Sequence, residues 1–217
     1  MPAAPPDAHL DGVRAAHLSL STSLDGLEER DLAAPSQLPG WSRAHVLAHL
    51  AANAASFVRI VAAATRGESV VQYEGGAEGR AAGIESGARM PAPALLEWVR
   101  ASASELESAL DAASGAAWRG EGTSVAGARI PVSEIPFRRW REVEVHHADL
   151  GLAHGWADWP DRWVREDLPI QEMRVLSRAS MGLTRLPVQV LALPPHERLA
   201  WMFGRLDVDG VAPPEAL

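Results

Sequence analysis

Four long segments of the chain carry apolar residues at the three- and four-residue spacing that is typical of an α-helix. Prolines and glycines separate these segments, as is usual where helices begin and end. The four predicted helices cover residues 7–30, 42–65, 91–113 and 134–150. Helices that each have one apolar face pack those faces together in a shared core. The sequence therefore predicts an antiparallel bundle of four helices.

Shorter elements are predicted between these helices and after them. They are a short helix over 78–88, two short strands around Trp118 and within 128–130, a helix over 161–180, a strand over 187–193 and a last helix over 194–205. A connector, Trp156-Ala157-Asp158-Trp159-Pro160, follows Gly155 and separates the four long helices from the shorter elements after it. We therefore predict a mainly α fold with two domains: residues 1–155 form the helical bundle, and residues 156–217 form a small α/β domain.

The chain contains no cysteine among its 217 residues. This excludes disulfide bonds, metal clusters bound by cysteine and a cysteine nucleophile. Any metal ion must be held by nitrogen and oxygen ligands, and any thiol chemistry needs a thiol from outside the chain. The net charge of −8 argues against nucleic acid or an anionic membrane as a partner, because this surface repels both.

No segment of the sequence predicts export or insertion into a membrane. Residues 1–7 contain no basic segment and no apolar stretch follows them, so we expect no secretory signal. The most apolar run, over 46–64, is interrupted by polar or charged side chains at His49, Asn53 and Arg59. These interruptions make it a poor membrane span. We expect a soluble, cytoplasmic protein.

Glu142 and His146 lie four residues apart in the last predicted bundle helix. One helical turn places both side chains on the same face, where a carboxylate and an imidazole can bind one divalent metal ion. His49, in the second helix, has apolar neighbours on both sides, so its face points inward, where bundles build metal sites. Three protein ligands without an obvious fourth describe a catalytic zinc site with an open position. Arg138 and Asp149 lie on or near the same face as charge partners.

Other histidines and carboxylates in the same helices offer alternative ligands. His45 and His49 are also four residues apart and could form a pair of their own. Glu144 and His147 provide a second carboxylate and imidazole, at a spacing of three residues and a different rotation around the helix. A glutamate and a histidine one turn apart can also be a pair on a solvated face, and a lone histidine on an apolar helix is more often a hydrogen-bonded core residue. The spacing alone leaves these choices open.

Several short motifs resemble the mycothiol-dependent maleylpyruvate isomerase family, which belongs to the wider DinB-like group of metal-binding four-helix bundles. The motifs are Gly40-Trp41-Ser42, Leu47-Ala48-His49-Leu50-Ala51, the segment Arg80 to Arg89, Arg141-Glu142-Val143-Glu144-Val145-His146 with Asp149-Leu150, and the element Trp201 to Arg205. The resemblance covers most of the chain. It implies a mainly α fold, with a DinB-like antiparallel four-helix bundle and a small C-terminal α/β domain.

The resemblance also implies which residues form the site. The metal ligands of the family correspond to His49, Glu142 and His146, and zinc or another divalent metal is the implied ion. The position of His45 is not a ligand in the family, which favours a structural or supporting role for it. The catalytic arginine of the family corresponds to Arg205. The alternative for Arg205 is an arginine that only favours the dipole at the end of a helix.

The implied activity is a zinc- and mycothiol-dependent cis–trans isomerisation of maleylpyruvate to fumarylpyruvate, or of a related activated ene-dioate. Mycothiol, a low-molecular-weight thiol, would be the cosubstrate, and Arg205 would stabilise the charge of the enolate intermediate. A mycothiol S-transferase that acts on an electrophile would use the same kind of site. A hydrolase that uses zinc-bound water, or a bundle that binds metal without catalysis, would also be compatible with these residues.

Overall fold

The structure is a computed structural model, and it describes residues 7–178 and 185–214. The chain divides into two compact units, Met1–Gly151 and Leu152–Leu217. Helices dominate both units, which confirms the prediction of a mainly α fold. The predicted domain boundary after residue 155 stays a prediction.

The elements of the first unit are α1 (Asp7–Ser23), α2 (Glu29–Ala33), α3 (Arg43–Thr65), α4 (Gly76–Gly87), α5 (Ala92–Asp111), α6 (Gly115–Trp118), β1 (Glu121–Thr123), β2 (Arg129–Pro131) and α7 (Ile135–Asp149). Those of the second unit are α8 (Asp161–Arg178), α9 (Val188–Leu191) and α10 (Pro195–Met202).

Four long helices, α1, α3, α5 and α7, form the predicted four-helix bundle. Helices α1 and α5 are antiparallel, because Arg14 in the first half of α1 pairs with Asp111, the last residue of α5. Helices α3 and α7 are antiparallel as well. The first residue of α3, Arg43, donates a hydrogen bond to the carbonyl of Leu150, directly after α7, at 2.7 Å.

The two antiparallel pairs are joined so that α1 and α7 run in the same direction. Gly12, early in α1, lies against Trp140, and Ser23, at the end of α1, bonds to His147 near the end of α7. Consequently α3 and α5 also run in the same direction. Parallel neighbours cannot be joined by a tight turn, and residues 66–91 supply the long crossover between them.

The crossover contains α4, which packs along α3. Gly87, the last residue of α4, lies between Ala48 of α3 and Trp98 of α5. An ideal Cβ atom placed on Gly87 would lie 2.6 Å from the indole of Trp98 and 2.8 Å from the Cβ of Ala48. Only glycine permits this close approach, which brings α4 against the first half of α3.

The predicted first helix is wrong in its extent. It was expected to continue over 7–30, but α1 ends at Ser23 and a separate short helix, α2, begins at Glu29. Gly26 lies between them with a φ of +77°, a left-handed conformation that ends a right-handed helix. The apolar spacing continued through the break, so the periodicity did not reveal it.

The second half of α3 contributes to an apolar core cluster of the first unit. The buried residues of this core are Ala54, Phe57, Ile60, Val61, Ala64, Leu106, Leu110, Ala117, Ile130, Val132 and Ile135. The antiparallel pair β1–β2 covers one side of it, with Gly122 opposite Ile130. The two predicted strands are therefore present, although Trp118 lies in α6 rather than in the first strand.

The predicted strand over 187–193 is wrong, because residues Val188–Leu191 form the short helix α9. In a strand, Val188 and Val190 would share a face, but Val188 is 75% exposed and Val190 is fully buried. The β-branched residues favoured a strand, and packing decided otherwise. Among the described residues of the second unit, β pairing is limited to the single bridge between Val208 and Val211.

The last helix, α10, ends at Met202, three residues before the end of the predicted helix, and is capped at the predicted glycine. Gly204 has a φ of +71°, and the amide of Arg205 donates to the carbonyl of Ala200 at 2.8 Å, so that the helix closes with a Schellman motif. The predicted helix over 161–180 corresponds to α8, and its last two residues lie outside the described residues. Aromatic rings of Trp159, Trp163 and Phe203 pack together in this unit.

Within the described part of the chain, one helix has the length and apolar composition that a membrane span requires. This helix is α3, and most of its apolar segment is buried inside the protein. A buried core helix passes the same test, so α3 gives only weak evidence for a membrane.

We expect Gly12→Ala to destabilise the protein, because a Cβ atom there would overlap the ring of the buried Trp140. Overpacking of this kind costs about 1–3 kcal/mol, which exceeds the gain of up to about 1 kcal/mol from alanine in a helix. Thermal unfolding followed by circular dichroism measures the difference.

Gly83→Ala is the matched control, because Gly83 also lies within a helix and has no atom within 4 Å of its ideal Cβ position. This variant should be as stable as the parent protein or slightly more stable. Equal effects of the two substitutions would contradict the close contact between α1 and α7.

Candidate metal centre

The three residues predicted as ligands meet between α3 and α7. Ser42 caps α3 and starts the helix that carries His49, while Glu142 and His146 lie one turn apart on α7. One ligand atom from each of the three lies within 4.8 Å of the others. Nε2 of His49 is 3.1 Å from Oε2 of Glu142, and Nε2 of His146 is 3.7 Å from the same oxygen.

These separations fit the demands of a divalent metal ion. Bond lengths of about 2.0–2.2 Å and tetrahedral angles place neighbouring ligand atoms of zinc about 3.4 Å apart. The observed 3.1 Å and 3.7 Å lie on either side of this value. Two imidazoles and one carboxylate are a donor set that zinc and similar metals accept in catalytic sites. The donor set and its two measured separations therefore suit such an ion, and the two histidine nitrogens lie within 4.8 Å of each other.

A hydrogen bond to Asp149, on the side of the ring away from Glu142, fixes the orientation of His146. Its Nδ1 atom lies 2.7 Å from Oδ2 of Asp149, a carboxylate that is fully buried. An Nδ1–H that donates to this carboxylate leaves the lone pair of Nε2 directed toward Glu142. Such carboxylate–histidine pairs are typical of histidines that bind a metal. The predicted role of Asp149 as a charge partner agrees with this contact.

Burial and charge act in opposite directions on the ligands. Burial alone raises the pKa of Glu142, but the hydrogen bond from His49 and the charges of His49, His146 and Arg139 outweigh it and lower the pKa to about 2. Burial lowers the pKa of His49, against the opposing hydrogen bond with Glu142. Metal binding requires an ionised carboxylate and a deprotonated imidazole, and the lowered pKa values of Glu142 and His49 each favour that form.

The three side chains form a gradient of exposure. The side chain of His49 is 5% exposed, that of His146 is 18% exposed, and that of Glu142 is 31% exposed. The cluster is therefore deepest at α3 and most open at Glu142.

The alternative ligands are engaged elsewhere. His45 lies against its own helix cap, where Nδ1 is 2.7 Å from Oγ of Ser42. Its Nε2 atom faces Glu85 at 3.6 Å. His147 bonds to Ser23 of α1 at 2.9 Å, which places it on a different face of α7 from His146.

Two further charged or polar residues of α7 also lie away from the cluster. The carboxylate of Glu144 is buried and accepts a hydrogen bond from the indole of Trp140 at 2.9 Å. Arg138, expected as a charge partner of the site, instead pairs with Glu134 at 2.7 Å.

Arg80 and Tyr73, from the crossover, border the cluster and were not assigned a role from the sequence. The guanidinium of Arg80 faces Nδ1 of His49 at 3.4 Å and lies 5.9 Å from the ring centre of Tyr73. Burial raises the pKa of Tyr73, and the negative charge of Glu142 adds to this effect. The sequence held one indication that Arg80 has a special role: it is the only basic residue of the glycine-rich stretch 75–88.

A second polar layer lies next to the cluster, one turn nearer the start of α7. All four bundle helices contribute to it. Arg139 of α7 donates through Nη1 to Oδ1 of Asn53 of α3 at 2.9 Å, and through Nε to Nε2 of His17 of α1 at 2.9 Å. Nδ1 of His17 lies 2.7 Å from a carboxylate oxygen of Glu107 of α5. Because Arg139 can only donate, Nε2 of His17 accepts and Nδ1 carries the proton, so His17 is neutral.

Arg205, predicted as the catalytic arginine, belongs to the second unit. It directly follows the cap of α10, its side chain is half-buried, and Nη1 donates to the carbonyl of Phe203. A bond to a carbonyl at the end of a helix is the contact that the non-catalytic alternative predicts. The catalytic role of Arg205 stays a prediction.

The fold and the cluster together define a class: a helical bundle with a candidate metal site built from two of its helices. The family model for the mycothiol maleylpyruvate isomerase N-terminal domain matches residues 3–151. The chain therefore belongs to the mycothiol-dependent maleylpyruvate isomerase family, and the predicted resemblance and the prediction of an enzyme of this type are confirmed.

Two solved structures are similar over most of the chain. A crystal structure of the mycothiol-dependent maleylpyruvate isomerase superimposes with a TM-score of 0.85 and 26% sequence identity, covering 97% of this chain and 96% of that one. The structure of its H52A mutant gives a TM-score of 0.75 and 27% identity, covering 80% of this chain and 72% of that one. A comparison with curated proteins found no match.

We expect His17 to make the protein less stable in mild acid. Burial lowers the pKa of His17 from 6.5 to about 4, against the opposing hydrogen bond with Glu107. Because the folded-state pKa is the lower one, protonation favours the unfolded chain, and stability is lost as the pH falls from about 6.5 to about 4. The difference corresponds to about 3 kcal/mol. Urea denaturation at pH 7 and at pH 4.5 measures it.

His17→Gln provides the comparison, because an amide oxygen can accept from Arg139 but does not titrate in this range. The loss of stability between pH 7 and pH 4.5 should be smaller in this variant than in the parent protein. An identical pH dependence in both proteins would mean that His17 is not buried in its neutral form.

Proposed function

We propose that the protein is a zinc-dependent, mycothiol-dependent isomerase that converts maleylpyruvate to fumarylpyruvate, or acts on a closely related cis ene-dioate. One observation carries the proposal: a chain of this family brings His49, Glu142 and His146 to one point between α3 and α7. The solved structures that resemble the chain are of an enzyme named for this reaction. We also propose that it acts in the cytoplasm on small molecules.

The three residues would hold the ion through Nε2 of each histidine and a carboxylate oxygen of Glu142. A divalent ion bound there supplies a Lewis acid, which lowers the pKa of an incoming thiol and favours its thiolate. Asp149 keeps His146 in the tautomer that the site needs. Because the chain has no cysteine, the sulfur must come from a cosubstrate such as mycothiol.

Charge around the cluster supports an anionic substrate. Two carboxylates, Glu142 and Asp149, lie close to two guanidiniums, those of Arg80 and Arg139. A divalent cation added to this balanced set gives a net positive charge, which favours a dianion with a thiolate. Arg80 is placed to pair with a substrate carboxylate, and Arg205 is the predicted second guanidinium.

In the proposed reaction, the thiolate sulfur forms a bond to one carbon of the cis double bond, and the electron pair moves to the conjugated carbonyl oxygen. The resulting single bond rotates. The enolate then returns its electron pair, re-forms the double bond in the trans geometry and expels the same thiolate. An arginine near the enolate oxygen stabilises its negative charge, and its planar fork is suited to this geometry. The thiol is therefore not consumed.

We expect the purified protein to contain one zinc ion, or another divalent ion, per chain. The double variant His49→Ala/His146→Ala should lose this metal, because only one of the three ligands remains. Elemental analysis of protein purified without added metal measures the content. His45→Ala is the matched control and should keep its metal, because His45 contacts the helix cap. Equal metal content in both variants would place the ion elsewhere.

We expect isomerisation of maleylpyruvate only when mycothiol is present, with the free thiol concentration unchanged after many turnovers. Chromatography of the two isomers and a thiol titration follow the reaction together. Loss of one thiol per product would identify an S-transferase instead. Product formation without any thiol would favour a hydrolase or another use of the site.

We expect Arg205→Lys to reduce turnover by on the order of 10²–10³, because the substitution keeps the charge but removes the planar fork. Metal content and thiol affinity should stay unchanged, since neither is assigned to this residue. Arg178→Lys, at an exposed position at the end of α8, is the control for the loss of an arginine in the same unit. Equal turnover in both variants would leave Arg205 as a helix-terminal residue.

A further inference from the structure

The guanidinium of Arg139 lies in the core of the bundle, one turn before Glu142 on the same face of α7. Arg139 is fully buried. A cation in an apolar core is costly unless hydrogen bonds and opposite charges compensate for the lost water. Burial lowers the pKa of Arg139 to about 10, and the charges of Glu142, Tyr73 and Glu107 limit this effect. The side chain is therefore still charged near neutral pH.

The hydrogen bonds of Arg139 reach α3 directly beside the ligand His49. Nη1 donates to the carbonyl of Leu50, the residue that follows His49, at 2.8 Å. The same atom donates to the side chain of Asn53, one turn further along α3, at 2.9 Å. Because α3 and α7 are antiparallel, the contacts His49–Glu142 and Asn53–Arg139 are successive rungs of one ladder. Arg139 thus ties the ligand-bearing turn of α3 to that of α7.

Fold stability alone does not require an arginine at this position. Buried ion pairs and networks can often be replaced by apolar side chains without loss of stability. Apolar packing, however, does not hold the side chains of two helices at their relative positions with the precision that a metal site needs. That precision is about 0.5 Å. A shift of α7 by one residue would turn each side chain by about 100° and separate Glu142 from His49. Directional hydrogen bonds from Arg139 oppose such a shift.

We infer that Arg139 is a positioning residue of the metal centre: its buried guanidinium sets the distance between His49 and Glu142 by joining α7 to the backbone and Asn53 of α3. The inference rests on the proposed function in so far as the two residues are metal ligands. Arg139 itself does not contact the ion. The part of its role that concerns the His49–Glu142 pair can be tested without metal.

Arg139→Met is the decisive variant, because methionine is apolar, flexible and can fill the buried site. We expect its affinity for zinc, measured by competition with a chromophoric chelator, to fall by about 10–100-fold, as for other residues that support metal ligands. The visible absorption spectrum of the cobalt-loaded protein should change as well. Arg139→Lys, which keeps the charge without the fork, should recover only part of the affinity.

Leu106→Ala controls for a general loss of stability. Leu106 is fully buried in the apolar core beside α3, and its side chain can form none of the hydrogen bonds of the polar ladder. Truncation of such a leucine usually destabilises a protein strongly. This variant should bind zinc as the parent protein does. If Arg139→Met does not fold, Asn53→Ala removes one anchor of the guanidinium and should weaken zinc binding in the same direction, although less.

A crystal structure of metal-free Arg139→Met separates this inference from the proposed function. We expect Nε2 of His49 and Oε2 of Glu142, 3.1 Å apart in the parent protein, to separate by more than about 0.5 Å. An unchanged distance together with a zinc affinity within twofold of the parent would overturn the inference. If the parent protein binds no zinc or cobalt, the proposed metal dependence fails, and the measured distance alone decides the role of Arg139.

Discussion

The antiparallel contact between α3 and α7 carries charged and polar side chains into the buried core of the bundle. Polar groups in such a place must find hydrogen-bond partners, because an unpartnered one costs several kcal/mol, on the order of 2–7. The rungs His49–Glu142 and Asn53–Arg139 form only in one register of the two helices, and they leave one buried guanidinium nitrogen of Arg139, Nη2, without a hydrogen bond to the described residues. The lower rung extends to His17 of α1 and Glu107 of α5, so the register of α3 and α7 also constrains the other two helices.

This arrangement places the candidate metal ligands at a depth where they are held in position but remain partly exposed. His49 is almost fully covered, whereas Glu142 keeps about a third of its side chain exposed. A ligand pair that was buried throughout would exclude a substrate, and one that was exposed throughout would not hold its geometry. In this bundle the exposure of the side chains increases from His49 on α3 to Glu142 on α7, so one pair of helices meets both requirements.

The bundle and the candidate ligands were predictable because both depend on local spacing. Apolar periodicity identified α3, α5 and α7 within a few residues, and a separation of four residues placed Glu142 and His146 on one face. The break after α1 and the short helix α9 were not predictable in this way. The break after α1 depends on one glycine with a positive φ, Gly26, and the helix α9 depends on the packing of Val190.

The residues that sequence reasoning missed are those whose role depends on distant partners. Arg139 shares a face with Glu142 and His146, yet nothing local shows that its guanidinium is buried against Leu50 and Asn53. Arg80 reaches His49 only because the crossover folds α4 onto α3. Positions of this kind become visible only when the tertiary contacts are known.

The crossover over 66–91 has a consequence for how such a protein can change. The three candidate ligands lie on α3 and α7, whereas Arg80 and Tyr73 approach the cluster from the crossover. Insertions and substitutions in this connection can remodel the wall of the site while the helices that carry the ligands keep their register. The candidate ligands and the residues that border them thus lie in separate stretches of chain, so the border can diverge between related proteins while the ligand geometry is kept.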